Sequence, residues 1–202
     1  MNTSCCAQRP GVNRRRILGC GGLWVAGAFA ASTTAAEDET KVFSGYTRDK
    51  TFDIDEQQAA AIIDQAYRLG HDYEAKHGGC CRCTVAALQQ AISLVPEDKG
   101  IFRAASCLDG GAATGGVQNC GSFTGAGIII GWICAVEGFG DTSLPHQLVR
   151  KVSARFEKAY GSVLCKDVRK GIEGGCPEVV GRAARWTAEI LLSQFTDHGR
   201  EG

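Results

Sequence analysis

The chain has no surplus of either charge. Its 22 Lys and Arg balance 22 Asp and Glu, so nothing pulls the molecule toward nucleic acid or an anionic lipid surface, and no local basic stripe supplies that pull. Alternating runs that would signal strands are nearly absent. The glycine-rich "DGGAATGGV" of residues 109–117 contains neither G-x-G-x-x-G nor G-K-[ST], so no nucleotide is expected there. There is no C-x-x-C-H, so covalently attached haem c is not expected. No Ser/His/Asp arrangement is readable, and His71, His77, His146 and His198 have no i, i+4 histidine partner; surface positions are expected for them, with His77 set apart by its cysteine neighbours. Classical catalysis on a small substrate is therefore unsupported. Charge is missing altogether from residues 110–136. The apolar part of that stretch is short and interrupted by Ser122, Thr124 and several glycines, so it predicts a buried central helix and not a membrane span.

What the chain has in excess is sulfur: 11 cysteines in 202 residues. The N-terminus bears on the compartment. Arg14, Arg15 and Arg16 precede a Gly/Ala-rich, weakly apolar run and then small residues, the three zones of an export signal. Consecutive arginines followed by Ile17 and Leu18 predict the twin-arginine route, with cleavage after Ala30 or Ala36 and delivery to the periplasm by the twin-arginine translocation machinery. Residues 1–36 then form the signal, 37–54 a polar leader and 55–202 a single domain. Cys5, Cys6 and Cys20 leave with the signal. Eight cysteines remain: Cys80, Cys81, Cys83, Cys107, Cys120, Cys134, Cys165 and Cys176. An even number in an exported protein also fits four disulfides.

Helical periodicity organises the rest. A helix is predicted from Asp55 as cap to the stop at Gly78 and Gly79, with Ala59, Ile62, Ile63, Ala66 and Tyr67 on its apolar side. A second runs from the cysteine group to Val95, closed by Pro96. The uncharged helix follows Cys120, and another spans Pro145 to Gly161. A short helix capped by Ser162 holds Cys165, and a last one takes Cys176 as cap and Pro177 as first helical residue. The expected fold is all-α, a compact bundle of about five to six helices around a buried Gly-rich apolar helix. Gly121, Gly125, Gly127 and Gly131 on that helix predict a close helix pair, within the subunit or across a homodimer.

Cys83, Cys120, Cys165 and Cys176 fall at or near predicted helix starts, where unpaired N–H groups and the positive end of the dipole stabilise a thiolate. Cys120 and Cys134 are fourteen residues apart on one helix, about 21 Å along its axis, so they cannot pair, and Cys134 is expected in the core. Cys80 and Cys83 have C-x-x-C spacing, found in redox dithiols and in metal sites. Cys80, Cys81 and Cys107 are candidate accessory ligands, resolving thiols or disulfide partners.

At these residues the chain resembles a family of small redox-active proteins named for the pattern C_GCAxxG_C_C. The resemblance covers roughly residues 60–192. Its landmarks are "CTVAAL" from Cys83, "CGSFTGA" from Cys120, "FEKAYGSVLC" ending at Cys165 and "CPEVV" from Cys176. Asn119 stands where the pattern has Gly, and Gly121 where it has Ala. A similar domain occurs in split-Soret cytochromes c, where its cysteines are thought to hold an iron-sulfur cluster. The resemblance thus implies that Cys83, Cys120, Cys165 and Cys176 bind a cluster, most plausibly [2Fe-2S], and exchange electrons with a partner oxidoreductase. Gly116 and Gly121 would bring backbone N–H groups to the sulfurs. Metal-free thiol-disulfide chemistry is the alternative, and a Zn(Cys)4 or disulfide-stabilised module that binds a partner without chemistry is a third reading.

Overall fold

The structure, a computed structural model, describes residues 51–112, 114–136 and 138–199. The segment expected to be an export signal and most of the expected polar leader lie outside the described residues. Among the described residues there are seven α-helices, three single 3-10 turns and no β-strand; two isolated bridges, Phe52 with Thr196 and Asn119 with Leu164, are the β contacts. The expected all-α fold is observed.

Helix α1 (Glu56–His77) opens on a reciprocal cap: Gln58 N donates to Asp55 Oδ1 at 2.8 Å, and Asp55 N donates to Gln58 Oε1 at 3.0 Å. Such a cap contributes about 1 kcal/mol. The helix stops at Gly78, whose φ of +65° few other residues would tolerate. Helix α2 (Cys80–Ala91) follows at once, with Gly79 in its cap position and therefore no side-chain cap of its own. It ends earlier than the apolar pattern predicts. Ile92 turns extended, yet Ile92, Leu94 and Val95 are buried: the core takes up these side chains from an irregular segment, so hydrophobicity continues where the helix does not.

Helix α3 (Lys99–Ala105), which the sequence pattern did not suggest, is capped by Asp98 through Ile101 N at 2.8 Å. At seven residues it is too short to show a period. Helices α4 (Gly121–Cys134) and α5 (Ser143–Tyr160) match expectation. Helix α6 is short (Cys165–Val168) and has Leu164 as cap; Ser162 Oγ instead accepts from Leu164 N at 3.0 Å. Helix α7 (Gly175–Phe195) starts with Gly174 at +89° as cap, which puts Cys176 second and Pro177 third in the helix.

Helices α1 and α7 lie against each other where both are narrow. A Cβ on Gly181 would fall 2.9 Å from the Tyr67 ring, and one on Gly70 would fall 3.0 Å from Val180 O. Helix α4 contacts α2, α5 and α7, and none of its residues is exposed. This is the buried glycine-rich helix of the sequence reading. Its outer side packs through Phe123 into an aromatic cluster, where Phe156 stands edge-on to Phe123, Tyr160 and Trp186 at 5.5 Å each. No described helix is long and apolar enough to cross a membrane.

Candidate functional site

The site exists because α2 and α4 approach more closely than helices with ordinary side chains can. A Cβ on Gly125 would lie 2.6 Å from Cys81 O and 2.9 Å from Thr84 Cβ. A Cβ on Gly121 would overlap Cys80 Sγ and come within 3.1 Å of Cys81 N. Two of the four glycines noted on α4 therefore make the close pair, and its partner is α2 of the same chain. A side chain on Gly127 would graze Val149 at 4.0 Å, and one on Gly131 would meet nothing within 4 Å.

This approach sets the starts of two helices side by side. Cys80 is the first residue of α2 and Cys120 is the cap of α4. Both are buried, and their thiols are within hydrogen-bonding reach of each other. The environment treats them oppositely. The hydrogen bond from Cys80 holds Cys120 below the usual thiol range despite burial; the Ser122 hydroxyl, 3.1 Å from the sulfur, and the N–H groups of Ser122 and Phe123 help. Cys80 is pushed up by that same hydrogen bond, by burial and by the Cys120 charge, although Gly110 N donates to its sulfur at 3.5 Å. The surroundings thus favour the thiolate at Cys120 and the thiol at Cys80.

The helix-start argument thus holds for Cys120 and not for α2. Asp109, from the turn beyond α3, reaches over to accept from Cys81 N at 2.7 Å. It supplies the cap that Gly79 cannot, and so occupies the end of α2 with a carboxylate. Burial first, and then that charge, push Cys81 up to about 12. Cys83 is also pushed up to about 12, by burial and by Glu74. Its thiol donates to Gly78 O at 3.4 Å and lies within reach of the Glu74 carboxyl. Glu74 is only 7% exposed, and its Oε2 is buried with no hydrogen-bond partner.

The other sequence-selected residues are arranged around this centre. The Asn119–Leu164 bridge, with Cys120 N donating to Val163 O and Cys165 N to Gln118 O, ties the start of α6 to the start of α4. Cys165 packs against the glycine loop: Cβ atoms on Gly111 and Gly116 would lie 2.9 and 3.5 Å from Cys165 Cβ. Gly116, at φ +67°, sits beneath the Arg169 guanidinium, so its glycine serves backbone shape and close packing. Cys176 stands one turn before Val180, the residue of α7 that packs on Cys80 and Cys83. Cys107 is exposed. Cys134 is in the core, its thiol pushed up to about 12 by burial. His77, the last residue of α1, is exposed.

All eight described cysteines are thiols. Among the described residues, no three His, Cys, Asp or Glu side chains are grouped so as to hold a metal ion. At the adjoining starts of α2 and α4 the donor set is a thiol pair with a flanking thiol and carboxyl. Within it, the cysteine of α2 that meets Cys120 is Cys80, three residues before the Cys83 to which the family pattern points.

Two members of the site escaped the sequence reading. Glu74 had a signal: the buried positions of α1 are Ala59, Ala66, Gly70 and Glu74, so a carboxylate continues the apolar stripe at helical spacing. Asp109 had none, because only the fold carries it to a helix start 28 residues away.

A family model described as "Putative redox-active protein (C_GCAxxG_C_C)" matches residues 78–190, from the glycines before α2 into the last turns of α7. No curated protein and no solved structure matches the chain. The match spans more than half of the sequence and contains the whole cysteine arrangement, and the chain belongs to the C_GCAxxG_C_C family of redox-active proteins.

Proposed function

We propose that this protein is a dithiol-disulfide redox carrier whose working couple is Cys80 and Cys120. The observation that supports it is the contact of these two thiols at adjacent helix starts, one favoured as thiolate and the other as thiol. A thiolate attacks and a neighbouring thiol resolves, which is the division of labour that thiol exchange requires. Closing the Cys80–Cys120 bond from this thiolate–thiol pair releases two electrons and the one Cys80 proton, and a disulfide in an oxidoreductase partner takes up the electrons. The N-terminal arginines favour a periplasmic setting, where such exchange operates.

The test begins with anaerobic purification. Mild oxidation should remove two thiols from the count, and peptide mass mapping should join the Cys80 and Cys120 peptides. Cys120→Ser should abolish the change. Stoichiometric iron and sulfide with four masked thiols would replace this reading by the iron-sulfur one, and zinc with no redox response would leave a partner-binding module.

A further inference from the structure

From the unpaired backbone that borders Cys120, we infer that Asn119 is a docking point for an extended, acidic segment of a partner protein, held by strand addition and by the charges of Lys166 and Arg169. The inference rests on the carrier reading above only in naming the redox partner as the protein that brings the segment.

The backbone at Asn119 is an open strand edge. Asn119 is bridged to Leu164, and the hydrogen bonds of this bridge lie on either side of it, from Cys120 N to Val163 O at 2.7 Å and from Cys165 N to Gln118 O at 3.0 Å. In an antiparallel pair of that kind the bridged residue itself turns its N–H and C=O outward. Neither group of Asn119 has a hydrogen-bond partner among the described residues. Leu164 offers no second edge, because its N–H donates to Ser162 Oγ and its carbonyl accepts from Asp167 N and Val168 N. Val117, Gln118 and Asn119 are all exposed, Val117 by 52% in spite of its apolar side chain. The chain bends at Gln118 and enters α4 after Cys120, so the free edge is one residue long. It can take one residue of an extended chain through a pair of main-chain hydrogen bonds, the smallest form of strand addition.

The charges around the edge select the occupant. A Cβ on Gly116 would fall 2.6 Å from Arg169 Nη2 and 3.1 Å from Lys166 N, so the residue before Val117 lies against both. Lys166 and Arg169 are exposed, and neither is in an ion pair among the described residues. Asp167, between them in the chain, is already matched by Lys170 Nζ at 3.3 Å. The loop brings no carboxylate to offset them, since residues 110–136 are uncharged. Two uncompensated positive charges beside free backbone groups favour a segment with acidic side chains, and the exposed Val117 favours an apolar residue among them. Asn119 is the neighbour of Cys120 in the chain, so a segment docked here is held beside the couple.

The test titrates the full chain, isotope-labelled and reduced, with a capped hexapeptide of alternating glutamate and valine, and follows backbone amide resonances. The Val117 and Asn119 amides should shift, and exchange of the Asn119 amide proton with solvent should slow. The same peptide with glutamine for glutamate should bind at least about tenfold more weakly, and so should the acidic peptide to Lys166→Glu/Arg169→Glu. Arg150→Glu/Lys151→Glu, an equal change of charge at exposed positions of α5, should bind as wild type does. Methylating the peptide's central amide nitrogens removes its donors and should abolish binding with the protein unaltered. Binding that leaves the Asn119 amide unmoved, or survives methylation, would overturn the edge; equal affinity for the glutamine peptide, or an equal loss in the α5 variant, would overturn the acidic occupant. Absence of binding would overturn the docking point altogether. The peptide carries no sulfur, so each of these results is separate from the thiol count and mass mapping that test the couple.

Discussion

Alanine at two glycines of one helix should have effects of opposite sign. Gly125 and Gly131 both lie in α4, both have ordinary helical φ, and each should gain about 0.5–1 kcal/mol from alanine's lower conformational entropy in the unfolded chain. At Gly131 that is the whole effect, since a Cβ meets nothing within 4 Å. At Gly125 the Cβ would sit 2.6 Å from Cys81 O and 2.9 Å from Thr84 Cβ. The first of these is backbone of α2 and cannot rotate away, so the helices must part. Overpacking of this kind costs about 1–3 kcal/mol. The two variants should therefore differ by roughly 1–3 kcal/mol in unfolding free energy, with Gly131→Ala above wild type and Gly125→Ala the lower of the two. Urea denaturation followed by helical circular dichroism measures both under one set of conditions, and unchanged slopes would confirm that midpoints report stability. Parting α2 from α4 also separates Cys80 from Cys120, so Gly125→Ala should form the internal disulfide more slowly. Equal midpoints for the two variants would refute the claim that glycine is present at position 125 to admit the α2 backbone.

Three further outcomes follow from the same contacts. Asp109→Ala should cost about 0.5–2 kcal/mol, as a lost cap does; Asp109→Asn removes the charge, and alkylation of Cys81 against pH should then show that thiol more acidic, though still above the usual range because burial is the larger cause. Glu74 holds its proton more tightly folded than unfolded, so its contribution is complete below the unfolded value of about 4.3 and is lost as pH rises through the raised folded one. Glu74→Gln, which does not titrate, should accordingly gain stability relative to wild type between pH 4 and pH 8, and urea midpoints showing a pH-independent difference would contradict this. Phe156→Ala, emptying a fully buried position at the middle of the aromatic cluster, should cost about 3–5 kcal/mol, read as a fall in thermal midpoint.

Legibility in the sequence followed the range of the interaction concerned. The stops at Gly78 and Gly161, the Asp55 cap and the amphipathic stripe of α5 each depend on residues within a turn or two of one another, and all appear where the sequence places them. The end of α2 does not, because burial of Ile92 and Val95 is set by the core and not by helical period. Glu74 could have been found by asking why a carboxylate continues the stripe of Ala66 and Gly70.

By itself the sequence determined that the domain is helical, that its one uncharged segment is an interior helix, and that the cysteines cluster at helix starts. These are matters of local period and turn chemistry, which neighbouring residues specify. Only the tertiary structure decided which sulfurs meet and which of them carries charge. The spacing of "CCRC" cannot say whether Cys80 or Cys83 faces Cys120. That depends on the rotation of α2 against the glycines of α4, and on an aspartate from a distant turn that claims the end of α2 while leaving the end of α4 to Cys120.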